Sequence, residues 1–303
     1  SRWEFQMFRK VYLSAHRSLY EQVLRLTPPQ QQALYTYLEE NYRPENRDYW
    51  YDSFLNNCST KVRDALVDVF GTHLVFADSL FTPSVSFREA IQPYLSRNPW
   101  GSLGIHLLLG SPVDRTATYQ EMMFLPYELK DAFASAMLRG PSGQLPLVQS
   151  VISYPAPASE ATHGIRVTQP AAVFWLLAMV IFGLTLRESR YRRFLRYADL
   201  LLFGFTGLLG LFVLFMWVGT IRPWTAANWN LLWALPTHLP AAILLARGKH
   251  SRTLGSYFLG TALIAMIVIG AWSFLPQTLP LSLLPLVLLI SLRAVCIHLY
   301  SSR

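Results

Sequence analysis

Apolar residues are distributed along this chain in two unlike ways. Up to about residue 169 they stand singly or in short clusters among polar ones, whereas from Pro170 onward they form five long runs: 171–186, 197–219, 231–246, 254–275 and 279–299. Such runs predict a bundle of five transmembrane helices, since about 20 apolar residues span the ~30 Å hydrocarbon core. Two of the runs are short, so their helices would tilt or rely on snorkelling flanks. The first part predicts a mixed α and β domain. Residues 18–26 read as a helix end or connecting segment. Thr27-Pro28 reads as N-cap and first residue of a helix reaching about Asn41. The aromatic run 49–54 predicts a strand. Asn57 is placed to cap a following helix whose apolar stripe is Val62, Leu66 and Val69. Ser86–Glu89 and Thr118–Glu121 match the capping box. Pro126 opens a helix to about Arg139, residues 145–154 predict a strand, and the Pro/Ala/Ser-rich stretch 155–162 is a linker. The chain therefore divides into an exported domain over 1–169 and a membrane domain over 170–303.

Charge sharpens the division. The net charge of +8 is contributed by the second part, so its basic balance is no argument for nucleic-acid binding. Arg187, Arg190, Arg192, Arg193 and Arg196 follow the first run, and Arg247, Lys249 and Arg252 the third; Arg293 and Arg303 lie in or after the fifth. The other two linkers hold only Arg222 and no basic residue at all. By the positive-inside rule the first, third and final connections face the cytoplasm. Residues 1–169 are then outside the membrane and the C-terminus is inside. Trp217, Trp224, Trp229 and Trp233 gather around the outer Arg222 linker, as an interfacial aromatic belt would. Trp224, Trp229 and Trp233 are thus candidates for facing lipid, besides simple anchoring. The sequence begins without Met or a signal peptide although this topology requires export, so a processed or truncated product is expected.

The same topology separates the two cysteines, Cys58 outside and Cys296 near the cytoplasmic end of the last run. Cys58 is then a lone thiol in an oxidising compartment: either a buried, inert residue or a reactive one. Its place at a helix start favours the reactive reading, because the positive end of the helix dipole favours a thiolate. Asn56, Asn57, Ser59 and Thr60 offer hydrogen-bond donors around a developing oxyanion, or simply a helix cap. Arg63-Asp64 and Asp114-Arg115 are charge pairs, read as ion pairs or caps before substrate contacts. A cysteine nucleophile normally needs a base, usually histidine. No spacing singles out His16, His73, His106 or His163. His238 lies within the third run between Pro236 and Pro240, where an ionisable residue has either a functional or a helix-packing role.

Several segments carry a resemblance. They are Ser18-Leu19-Tyr20-Glu21-Gln22, Arg43–Arg47, Asn56–Thr60 with Arg63-Asp64, Pro99-Trp100 with Gly104 and Leu107–Pro112, Asp114-Arg115, and Glu121–Pro126. Together with Asn228, Asn230–Pro236 in the membrane part, they resemble bacterial Lnb-type lipoprotein N-acyltransferases over nearly the whole chain. The resemblance implies an α+β, circularly permuted papain-like domain, with Cys58 matching the family's catalytic cysteine. The family's histidine stands in an upstream Phe-Gly-His segment that this sequence does not contain, so the chain is expected to start inside the domain. Neither His16 nor His106 matches that motif. The implied reaction moves an acyl chain from a phospholipid, through a Cys58 thioester, to the α-amino group of a diacylated lipoprotein's N-terminal cysteine, with no metal or organic cofactor. A membrane-anchored cell-wall cysteine peptidase or amidase explains Cys58 but not five spans, and a non-catalytic membrane scaffold is the third reading.

Overall fold

The computed structural model describes residues 4–77, 84–140, 143–155, 169–248 and 251–301; His163, Lys249, Arg303 and all of the expected linker but Pro155 lie outside them. In chain order the elements are α1 (Phe5–Ser14), β1 (Leu19–Leu24), α2 (Pro28–Tyr42), α3 (Cys58–Phe70), β2 (Leu74–Val75), α4 (Phe87–Leu95), α5 (Pro99–Leu108), α6 (Tyr119–Met122), α7 (Pro126–Ser135), β3 (Met137–Gly140), β4 (Gly143–Pro146), β5 (Val148–Tyr154), α8 (Pro170–Thr185), α9 (Glu188–Val218), α10 (His238–Ala246), α11 (Arg252–Gly270) and α12 (Leu284–Ser301). They form two compact units, Ser1–Val85 with Thr116–Gly164, and Ser86–Arg115 with Ile165–Arg303. A division near residue 169 alone therefore overlooks one excursion, since 86–115 clusters with the apolar helices.

In the first unit β1 pairs antiparallel with β5, from Leu19↔Tyr154 to Val23↔Ser150, and β2, β3 and β4 form a second antiparallel sheet. Most of 18–26, Leu19–Leu24, is thus a strand rather than a helix end, because its hydrogen-bond partners are supplied by a segment far along the chain. The aromatic run 49–54 is no strand. Asp52 Oδ1 instead accepts the N–H groups of Phe54 and Leu55 at 2.9 and 2.8 Å, folding the run into an Asx turn that its own backbone closes onto Asn56. The helix from Pro126 stops at Ser135, where the chain turns into β3. Residues 145–154 are split at Leu147, which is fully buried and donates to the Ala136 carbonyl. Both capping boxes and the Thr27-Pro28 start form as expected. Leu66 and Phe70 of α3 meet Met123, Phe133, Leu138 and Leu147 in one core, which anchors the helix carrying Cys58.

The second unit has three helical segments long and apolar enough to cross a membrane among the described residues: Glu188–Val218, Arg252–Gly270 and Leu281–Ser301. The first expected span is the 16-residue α8. At 1.5 Å per residue it covers about 24 Å. The third expected span is broken: a short 3-10 turn, Trp229–Leu232, precedes the 9-residue α10. Side chains make this break tolerable, since backbone freed from helical bonding must find other partners. His238 is fully buried; its Nδ1 lies 2.6 Å from the Tyr257 hydroxyl and its Nε2 3.2 Å from the Trp233 carbonyl oxygen. These two contacts tie His238 to α11 and to the backbone just before α10. Gly207 and Gly210 let α9 approach this broken stretch, where a Cβ at 210 would fall 1.9 Å from the Ala234 carbonyl oxygen.

Excursion 86–115 is held by buried polar side chains. Arg88 donates from Nε and a terminal nitrogen to the two Asp114 carboxylate oxygens at 2.9 and 3.0 Å, and to the carbonyls of Leu109 and Gly110, both at 2.9 Å. Asn228 and Asn230 donate to the Leu107 carbonyl at 2.8 and 3.2 Å, and Gln277 to that of Leu109 at 3.0 Å. The Gly110 N–H donates to the Trp224 carbonyl, and a Cβ at this glycine would lie 1.8 Å from the Ala226 oxygen. Residues of the resemblance motifs are thereby brought together at one joint.

Candidate active site

Cys58 is the first residue of α3 and is exposed to solvent. Asn57 builds this position. Its Oδ1 accepts the N–H groups of Ser59 and Thr60 at 2.9 and 3.0 Å, while its Nδ2 donates to the Ser53 and Phe124 carbonyls, each at 3.0 Å. Thr60 Oγ1 accepts the Asn57 N–H at 2.8 Å and donates to the Asn57 carbonyl at 3.1 Å. One asparagine thus fastens the helix start to the preceding turn and to the segment before α7. The Asn56 side chain donates to the Trp50 carbonyl at 2.7 Å. Asn57, Ser59 and Thr60 are buried, and the Ser59 and Thr60 N–H groups, the Asn57 side-chain amide and the Thr60 hydroxyl are engaged in these bonds. The Cys58 N–H, by contrast, has no hydrogen-bond acceptor among the described residues.

The surroundings of the thiol are aromatic and open. Tyr49, Trp50 and Tyr51 are 43%, 73% and 55% exposed, and Val62, one turn along α3 from Cys58, is 51% exposed. Of the expected stripe, Leu66 is buried and Val69 packs against the core, while Val62 faces out; Ala65 and Phe70 complete the buried apolar side. Residues four apart share a helix face, so Val62 continues the surface on which Cys58 stands. It borders a groove of about 330 Å³ lined also by Leu19, Tyr20, Tyr127, Leu129 and Phe133. The Tyr51 hydroxyl is held above the ordinary tyrosine range, by partial burial first and then by the electrostatic influence of Cys58. Lys61 Nζ lies 4.9 Å from the Tyr49 ring centroid. The aromatic run 49–51 signalled this neighbourhood in the sequence, but its reading as a strand hid the role.

The remaining candidates have other tasks. Arg63 pairs with its neighbour Asp64 at 2.7 Å and donates to the Gln120 carbonyl at 2.7 Å, a structural tie. Among the described residues no hydrogen bond joins a histidine to Cys58. His16 occupies a left-handed turn after α1, and His73 borders a separate cavity with Arg25 and Arg139. His106 belongs to the second unit, buried beside Arg88, whose NH1 lies 3.1 Å from Nδ1; its Nε2 lies 2.6 Å from Gln92 Oε1. Burial first, and the Arg88 guanidinium second, push its pKa down to about 4. Trp224 and Trp233 are buried, the first against Phe87 at 5.3 Å between ring centroids, the second donating from Nε1 to Asn230 Oδ1 at 3.0 Å. They close protein contacts and do not face lipid; Trp229 is half-buried.

The comparisons with known proteins bear on two regions of the chain. Residues 4–92 match the family model of the Lnb N-terminal periplasmic domain, and residues 162–303 that of the Lnb transmembrane domain. The chain is an Lnb-type protein. Neither the curated proteins nor the solved structures compared with it include a match. Lnb membership makes it an inner-membrane protein with a periplasmic N-terminal domain, of a kind associated with lipoprotein biogenesis and processing. Both matched Lnb regions carry features described above: the N-terminal one contains Cys58 with its cap, and the C-terminal one the apolar helices.

Proposed function

We propose that this Lnb-type protein is a lipoprotein N-acyltransferase in which Cys58 carries the acyl group. The observation behind this reading is a solvent-exposed thiol at the first residue of a helix whose start is fastened by a fully engaged asparagine. Sulfur and helix dipole are then fixed relative to each other before substrate arrives, which is what electrostatic preorganisation requires.

In the first half-reaction the Cys58 thiolate attacks the carbonyl carbon of a phospholipid acyl ester. A C–S bond forms, the C–O bond breaks, and the lysophospholipid leaves with a proton on its new hydroxyl. The Cys58 N–H and the positive end of α3 support the transient oxyanion. In the second, the α-amino group of a diacylated lipoprotein's N-terminal cysteine attacks the thioester; C–N forms, C–S breaks, and the thiolate is restored. The proton lost by the amine balances the one gained by the lysophospholipid. Two easier steps replace one direct ester-to-amide exchange. Exposed Tyr49, Trp50 and Tyr51 suit an interfacial position, and the groove beyond Val62 suits an acyl chain. Working at the membrane surface matters because withdrawing a chain from lipid costs about 0.8 kcal/mol per CH₂. The reading keeps residues 1–169 in the periplasm, five crossings and a cytoplasmic C-terminus, with α8 and the interrupted stretch around α10 completing the count.

The full-length protein is incubated with phospholipid bearing a labelled acyl chain. Wild type acquires a hydroxylamine-sensitive label that is absent in Cys58→Ser, and lipoprotein N-termini gain one acyl chain. An unlabelled wild type that cleaves peptidoglycan peptides instead makes this a cell-wall amidase, and one that does neither makes it a scaffold.

A further inference from the structure

At the arginine-rich end of the second unit, α9 begins while α10 and α12 finish. Between them lies a cavity of about 590 Å³ whose lining includes Arg192, Arg193, Arg196, Arg293, Leu245 and Ile297. A smaller one, of about 340 Å³, shares Arg193 and Arg196 and adds Tyr197 and Leu200. The four guanidinium groups are not equivalent. Arg293 is buried and spent: it binds Asp199 in bidentate fashion at 2.7 and 2.8 Å and reaches Glu188 at 3.4 Å. Both carboxylates of the lining thus face one arginine, and three arginines remain. Arg196 donates from one terminal nitrogen to the Leu245 and Ala246 carbonyls at 3.1 and 2.9 Å, which fixes it at the end of α10. Arg192 lies over the Tyr300 ring at 5.0 Å. Arg193 has no ion pair among the described residues.

Orienting the chain in the membrane needs only positive charge in this linker, which Arg187 and Arg190 already provide. It needs neither a cavity nor a guanidinium held in place by carbonyls. Planar guanidinium groups recognise phosphate oxygens in pairs, and basic pockets between membrane helices suit anionic headgroups. The wall continues apolar: Leu245, Ile297 and Leu200 line the cavities, and Phe194, Tyr197 and Leu201 are 54%, 55% and 72% exposed on the first turns of the span. We propose that these paired cavities bind an anionic phospholipid, its phosphate on Arg193 and Arg196 and its acyl chains along the face of α9. The site is separate from Cys58 and does not depend on the reaction assigned to that thiol.

The test uses the full chain in zwitterionic detergent, followed by native mass spectrometry. Phosphatidylglycerol and phosphatidylcholine are titrated separately, with glycerol 3-phosphate as a soluble competitor. Wild type is expected to hold phosphatidylglycerol at least tenfold more tightly than phosphatidylcholine. Arg193→Gln, which breaks no protein ion pair, lowers that affinity at least fivefold, and Arg193→Gln with Arg196→Gln abolishes the preference. Arg187→Gln, an equal change of charge outside the lining, leaves it within twofold. Equal binding of the two lipids, an unchanged Arg193→Gln, or an equal loss in Arg187→Gln would overturn the proposal. Competition by glycerol 3-phosphate at the lipid's own concentration would reassign the site to a free phosphate compound and equally overturn it.

Discussion

Replacing Asn57 separates a helix cap from a clasp. Asn57→Ala removes a cap on two N–H groups, which by itself costs about 1 kcal/mol. It also strips the donors from the Ser53 and Phe124 carbonyls, and a buried carbonyl left without a partner costs roughly 1–3 kcal/mol. The Phe124 bond is buried and the Ser53 bond only partly so, so water compensates the second. The sum is about 3 kcal/mol, a large share of a typical domain's 5–15 kcal/mol. Asn57→Asp keeps the acceptor at Oδ1 and gains from the helix dipole, so a cap alone predicts no loss. The clasp predicts about 2 kcal/mol or more, because a carboxylate then faces two carbonyl oxygens. Hydrogen exchange of the Ser59 and Thr60 amides in the full-length protein reads the opening of this turn. At about 1.4 kcal/mol per tenfold, exchange should accelerate roughly a hundredfold in Asn57→Ala and about thirtyfold in Asn57→Asp. Wild-type exchange in Asn57→Asp would refute the clasp and leave only a cap.

Two further outcomes follow from the structure. His106 is held neutral, with a folded pKa of about 4 against 6.5 in the unfolded chain. The unfolded chain then binds the extra proton first as pH falls, so the His106 contribution is fully present above pH 6.5 and is lost progressively towards pH 4. The loss is on the order of 3 kcal/mol, and unfolding of the second unit at stepped pH should show it in wild type and a flatter profile in His106→Gln. An equal slope in both would show that other groups set it. Val62→Asp puts a charge on the wall of the groove, one turn along α3 from Cys58. It should slow acylation of the thiol by phospholipid at least tenfold while leaving alkylation by a small water-soluble maleimide unchanged; parallel loss of both would mean that the helix start itself was damaged.

Helix starts were legible where a residue's partner lies within about one turn of it. Asn57 at the start of α3, the Ser86–Glu89 and Thr118–Glu121 boxes and the Thr27-Pro28 entry could all be placed from spacing, because capping is a transaction between neighbours in sequence. The membrane half was equally plain, since long apolar runs have few other destinations. The strand over Leu19–Leu24 was not legible, because its partner begins at Val148. The aromatic run 49–54 pointed to a strand for a different reason: its aromatic pattern masked the local turn that Asp52 makes with Phe54 and Leu55.

The sequence by itself determined that a membrane bundle follows a domain with one thiol at a helix start, because hydropathy and caps act over short distances. Only the tertiary structure decided that 86–115 packs with the helices, that Trp224 and Trp233 are buried, that the third apolar run breaks before α10, and that Asn57 spends its donors on Ser53 and Phe124. Those outcomes depend on which buried polar groups find partners across gaps of many residues. No local pattern records such pairings, since each half of a pair looks in isolation like any other asparagine, arginine or carbonyl.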